Sequence, residues 1–386
     1  MIRYLKLITL LILLNPLSKT YSQQTINYIL SEVEKNNEML SGMRSATEVN
    51  KLSAKVNNNL YNPSVSYEHK GGNNFSVSQS FDFPTLYFYT NQLSKLSGKQ
   101  AESAYIAFKR ELLLEVKLLC LNLIYLNQQH VMLKLRLLNA QILSDMYKER
   151  VNKGQASVLE KNKIDLERMN VLTNIESNKA ALRNAKEQLK AFNGGIPLSM
   201  DLLAYTDTVD MPSHHALKTS FIQSDEELNM QKWDVAIAQK QITIAKAGSL
   251  PKLELQYKQD LFESHIGGIS VGMSIPIFAN TNRIKLAKES FHASMKKAQS
   301  KEQNTDSQFE QLYNDYLRLK ESLRNYKDLF KLQNNLDVIN KSVKNNEITM
   351  LQYFVELNSY YDSYQILLDL ENQYQVTIAK LMKFKL

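Results

Sequence analysis

"GISVGMSIPIF", residues 268–278, decides how the rest of the chain is read. Ile269, Val271, Met273 and Ile275 alternate with Ser270, Gly272 and Ser274, the two-residue period of a strand with one apolar face. Pro276 ends the run, and no proline follows it. A strand whose second face is stripped to serine and glycine is out of place in this chain. Its 386 residues are rich in Leu, Lys, Gln and Asn and hold only 11 Gly and 7 Pro, a composition that favours long helices.

Other stretches share the pattern. Phe75, Val77 and Phe81 alternate with Ser76, Ser78 and Ser80, while Leu253, Leu255 and Tyr257 alternate with Lys252, Glu254, Gln256 and Lys258. Strands are expected over about 63–70, 74–83, 251–260 and 266–275. Pro63 and Pro84 bracket one pair, Pro251 and Pro276 the other, and residues 85–196 and 277–386 contain no proline, which suits uninterrupted helices.

The bracketed stretches resemble each other. "NPSVSYEHK" from Asn62 parallels "LPKLELQYK" from Leu250, and "VSQSFDFP" to Pro84 parallels "ISVGMSIP" to Pro276, the second pair at an offset of 192 residues. The same offset lays "VNKGQASVL" from Val151 on "VKNNEITML" from Val343, as a tandem duplication would. The expected organisation is a signal peptide over 1–22, a first repeat over 23–196, a connector over 197–214 and a second repeat over 215–386. Each repeat reads helix, two strands, very long helix, turn, helix. The first helices are expected near 25–58 and 215–248, the long ones near 86–151 and 278–343, and the returning ones near 156–192 and 348–384. In the first long helix Leu112, Val116, Leu119, Leu123, Leu126, Leu133, Leu137, Ala140, Tyr147 and Val151 keep a 4-3 spacing broken by His130 and Ser144, a coiled-coil signal. About 66 residues at ~1.5 Å rise make roughly 100 Å of helix.

"MIRYLKLITLLILLNPLSKTYSQQ" reads as a secretory signal, with Arg3 and Lys6 before an apolar core too short to span a bilayer. Removing Arg3, Lys6 and Lys19 leaves 44 basic against 39 acidic residues, a mild +5 with no basic run, which argues against nucleic-acid binding. Cys120 is the only cysteine, so no disulfide forms within one chain and no lipid-anchored N-terminal cysteine is present.

Strands of nine or ten residues match the length that crosses a bilayer at a tilt. Aromatic residues cluster at their ends, Phe81, Phe83, Tyr87, Phe88 and Tyr89 in one half and Tyr257, Phe262 and Phe278 in the other, like the girdles of membrane barrels. Four strands alone would leave two unpaired edges in lipid, so copies must combine. Three copies give a 12-stranded barrel. Its lumen would be lined by Ser76, Ser78, Ser80, Lys252, Glu254, Gln256, Ser270, Gly272 and Ser274. In a soluble protein the apolar faces would instead pack on a helix or a second sheet.

The run "LPKLELQY" (250–257), the run "SVGMSIPIFANTNRIKLAKES" (270–290) and the turn with Gly154 and Ser157 resemble the TolC-like outer membrane efflux protein family, across essentially the whole mature chain. The resemblance implies a mainly α fold with a small β part: a homotrimeric 12-stranded transmembrane β-barrel continued by a long α-helical coiled-coil barrel. It implies an outer-membrane location with the helices in the periplasm, docking to a periplasmic adaptor and an inner-membrane pump, and no catalysis. The adaptor-docking turns would carry Gly154 and Ser157 in the first repeat, Asn346 and Thr349 in the second. A periplasmic gate is expected among Tyr147, Arg150, Lys153, Lys341, Lys344, Gln352 and Glu356, some of them making inter-helix bonds when closed. Where some relatives carry an acidic pair, this chain has Gln352 and Val355, with Glu356 one place off.

Nothing points to a cofactor or metal. His214 and His215 adjoin, His69 and His265 sit between strands, and no phosphate loop or nucleophile elbow appears. Two readings remain: an exit duct of a tripartite efflux or secretion system for small molecules or cations, or a secreted or periplasmic coiled-coil structural protein with a small soluble sheet. Neither reading names the cargo.

Overall fold

The computed structural model of the protein describes residues 18–56, 58–69, 73–198, 204–205, 211–260, 267–276, 281–332, 335–345 and 347–386. The expected leader falls mostly on residues 1–17, outside the described residues. Helices α1 (Ser18–Asn36) and α2 (Glu38–Val56) precede strands β1 (Ser64–His69) and β2 (Asn73–Phe81). Helices α3 (Pro84–Asn152), α4 (Val158–Phe192), α5 (His214–Gln223) and α6 (Glu226–Ala247) follow. Then come β3 (Lys252–Asp260), β4 (Gly267–Ser274), α7 (Arg283–Leu332), α8 (Asn335–Lys344) and α9 (Met350–Leu381). The chain is mainly α with a small antiparallel sheet.

Helix α3 runs unbroken for 69 residues, about 100 Å at ~1.5 Å per residue. Pro84 is its first residue, where a missing N–H costs nothing because that N–H has no intrahelical acceptor. The expected first helices are each broken into two, at Asn37 and before Asp225. Asn37 Nδ2 donates to Phe192 O at 2.8 Å. Asp225 caps α6 by accepting from Leu228 N at 3.1 Å and takes a second bond from Thr305 Oγ1 at 2.9 Å. The Asp225 cap is a local bond of the kind that ends a helix, whereas Asn37 is held by backbone far away in sequence.

Two compact units form, and they do not coincide with the sequence repeats. One takes the described residues of 18–38, 110–221 and 308–386, the other those of 39–109 and 222–307, so each draws on both halves. The first unit holds two apolar clusters. Leu133, Tyr147, Ile164, Val171, Phe354 and Leu357 belong to one, Leu217, Phe221, Phe309, Leu319 and Leu381 to the other. The 4-3 stripe of α3 is largely buried, and its exception Ser144 is satisfied by donating to Asp165 Oδ1 at 2.6 Å.

The second unit carries the sheet, in the order β1-β2-β3-β4 with every neighbour antiparallel. The two hairpins join along β2 and β3, where Asn74–Phe81 runs against Leu253–Asp260. Both outer strands keep one edge without a partner among the described residues.

Candidate sheet face and helical turns

Residues directly opposite in antiparallel strands project to the same face, so the register sorts the sheet row by row. Val65, Val77, Tyr257 and Ile269 form one row, and Gln79, Leu255 and Val271 the next but one; Phe81, Leu253 and Met273 continue it. The alternate rows are Ser64, Ser78, Gln256 and Ser270, then Ser80, Glu254 and Gly272, then Lys252 and Ser274. All nine residues expected to line a lumen therefore lie on one face. That face bonds within itself: Ser64 and Ser78 hydroxyls meet at 2.7 Å, Ser66 and Ser76 at 2.7 Å, and Ser270 Oγ donates to Gln256 Oε1 at 3.4 Å.

The opposite face is apolar and uncovered. Ile269 is 75% exposed and Val271 76%, with Val65, Tyr67, Leu255 and Met273 also open. Among the described residues no helix or second sheet packs on it, as a soluble sheet of this composition would require. The Tyr257 ring lies over Gly267, where a Cβ would oblige that exposed ring to move aside. At the sheet's end Lys252 Nζ binds Asp82 Oδ1 and the Tyr61 hydroxyl, each at 3.1 Å, and sits 4.9 Å above the Tyr61 ring. Phe83 and Phe88 are exposed beside this cluster, while Phe262 and Phe278 lie outside the described residues.

The helical turns match residue for residue at the 192-residue offset. Gly154 takes φ +67°, and Gln155 N–H donates to Arg150 O at 2.8 Å, closing α3 in a Schellman motif. In the second half Glu347 N–H donates to Ser342 O at 2.8 Å. Ser157 and Thr349 then cap α4 and α9, each in a reciprocal box with Glu160 or Gln352. Asn346 lies outside the described residues.

The expected gate residues separate. Tyr147 is not a free polar group at the turn: it is 3% exposed in the apolar cluster, and burial first, then the Glu160 charge, makes its hydroxyl harder to ionise. It continues the apolar stripe, and packing decides its place. Gln352 is committed to the Thr349 N–H at 2.8 Å. Arg150, Lys153 and Lys341 make no side-chain hydrogen bond or ion pair among the described residues, and the Lys344 side chain is not described.

Sequence reasoning missed Arg136. This sheltered residue on α3 reaches Glu167 on α4 at 2.7 Å, and Asp362 and Asn358 on α9 at 3.0 and 3.3 Å. One guanidinium thereby ties three helices; the only signal was a charge set between Leu133 and Leu137. Nearby, the Asp165 carboxyl is held below the usual carboxylate range by its bond to Lys161 and then by Ser144. Also missed was a second apolar stripe on α3, where Val131, Leu135, Leu138, Ile142 and Met146 are exposed. Among the described residues no cluster could hold a metal, and no helix is long and apolar enough to cross a membrane.

Residues 219–383 match the family model described as outer membrane efflux protein. No curated protein matches the chain. Among solved structures, the chain is similar to CusC, a protein described in terms of folding and transmembrane channel formation, at 17% identity and TM-score 0.76, covering 94% of this chain and 92% of that one. The outer membrane protein VceC from Vibrio cholerae matches at 12% identity and TM-score 0.76, over 93% of this chain and 95% of that one. The Campylobacter jejuni CmeC outer membrane channel matches at 15% identity and TM-score 0.71, over 94% and 85%. Likeness at such identities establishes the fold.

Proposed function

We propose that this chain, whose residues 219–383 match the outer membrane efflux protein model and which shares the fold of CusC and VceC over 93–94% of its length, is an outer-membrane exit duct of a tripartite efflux system. The observation that carries this reading is the sheet: one apolar face and one serine-rich face, with no cover and with two open edges among the described residues. In hydrocarbon an unpaired backbone group costs several kcal/mol, so the edges must meet other copies. Three copies close a 12-stranded barrel with isoleucine and valine toward lipid and Ser76, Ser78, Ser80, Gln256, Ser270 and Ser274 toward water.

The exposed stripe from Val131 to Met146 is where the helices of sister copies pack, because so long an apolar surface is not left in water. The turns bearing Gly154, Ser157, Asn346 and Thr349 dock a periplasmic adaptor, which links the duct to an inner-membrane pump. Catalysis has no part in this subunit. Cargo moves passively, and its identity is set elsewhere in the assembly. No observation favours a soluble rod, whose sheet would need a cover.

The purified protein is expected to run as a heat-sensitive trimer in detergent and to conduct ions in stepwise increments in planar bilayers. A soluble monomer that leaves bilayers silent would overturn the proposal.

A further inference from the structure

A groove of about 490 Å³ opens between α7, α8 and α9, within residues 329–363 of a single chain. Leu329, Phe330, Ile339 and Ile348 supply apolar wall, and Leu329 stays 49% exposed. The Phe330 and Tyr360 rings meet edge to face, 5.7 Å apart and inclined at 66°. Glu356 also lines the groove, and its carboxylate has no hydrogen-bond or ion-pair partner among the described residues.

The duplication supplies an internal control. At the offset of 192, Glu356 matches Ile164, which is 1% exposed in the apolar cluster of the same unit. Phe330 matches Leu138 and Tyr360 matches Arg168. At the sequence position of Glu356 the first repeat has a packed aliphatic side chain. The second repeat has a carboxylate flanked by aromatic rings and leaves space beside it.

We propose that this groove binds a drug-sized lipophilic cation. Its volume lies within the roughly 300–1,000 Å³ range of small-molecule sites. Apolar walls remove hydrocarbon from water, ring faces attract a cation, and among the described lining residues one unpaired carboxylate supplies charge of a single sign. An anion of the same shape meets repulsion, and a neutral amphiphile forgoes the charge. The site is built from one chain, so it stands whether or not the duct reading does.

Equilibrium dialysis of the full-length protein in amphipol tests this with tetraphenylphosphonium and its size-matched anion, tetraphenylborate. Tetraphenylphosphonium is expected to saturate at one per chain. Glu356→Gln should weaken it about tenfold, equivalent to ~1.4 kcal/mol, and Tyr360→Leu several-fold, with tetraphenylborate showing no saturable site. Because Glu356 is exposed and unpartnered, its substitution leaves the fold intact, which an unchanged melting curve verifies. Equal affinity of Glu356→Gln and the unaltered protein overturns the proposal. So does equally tight tetraphenylborate, or no saturable binding at all, the result expected if a sister copy or another protein's helix occupies the groove. Bilayer conductance is read separately, so a silent duct and an empty groove are distinguishable outcomes.

Discussion

Arginine in place of Val271 is expected to abolish assembly in the outer membrane, and arginine in place of Ser270 is expected to leave assembly intact. The two residues adjoin on β4 but project to opposite faces, because strand side chains alternate. Val271 is one of the most open positions of the apolar face. A lipid-facing arginine near the bilayer centre costs about 2–4 kcal/mol, and three copies put roughly 6–12 kcal/mol on one barrel. Ser270 bonds Gln256 on the polar face, where a charge stays hydrated. Its replacement should narrow the pore and lower unit conductance. Membrane fractionation and the heat-sensitive trimer band give the readout; normal assembly of Val271→Arg would refute the assignment of faces.

The second large effect is expected at Asp225. Its carboxylate is 4% exposed, caps α6 through Leu228 N, accepts from Thr305 Oγ1 and lies 4.0 Å from Lys301 Nζ. Alanine removes the cap, worth about 1 kcal/mol. It also strands the Thr305 hydroxyl, which is fully buried, at about 1–3 kcal/mol. A loss of roughly 2–4 kcal/mol is expected on those two grounds, measured by urea unfolding of the purified protein. The Asp225→Ala, Thr305→Val double variant should lose less than the sum of the single ones, since valine leaves no orphaned hydroxyl. Strict additivity would show that the two residues are not coupled.

Much of the fold was legible because it rests on short-range rules. A two-residue period with proline at its ends marked the strands, and the proline-free stretches marked the long helices. The turns were legible because Gly154 with Ser157, and Thr349 with Gln352, are local cap chemistry. What was missed depends on partners distant in sequence. The β2–β3 register joins Val77 to Tyr257 across the whole first helical hairpin. The breaks at Asn37 and Asp225 are held by Phe192 and Thr305, neither of them a neighbour in sequence. Tyr147 fits both the apolar stripe and the expected gate, and it is buried in the apolar cluster. Arg136 carried no motif, because its role exists only where three helices meet.

Spin labels placed one at a time at residues 269–274 test the central claim most directly, by comparing relaxation from oxygen, which concentrates in lipid, with relaxation from a water-soluble nickel complex. Cys120 contributes no background, since it is fully buried and burial pushes its thiol up to about 12. In native membranes Ile269, Val271 and Met273 should respond to oxygen and Ser270, Gly272 and Ser274 to nickel. Exclusion of both reagents from the first three positions, as for side chains packed beneath protein, would contradict the account.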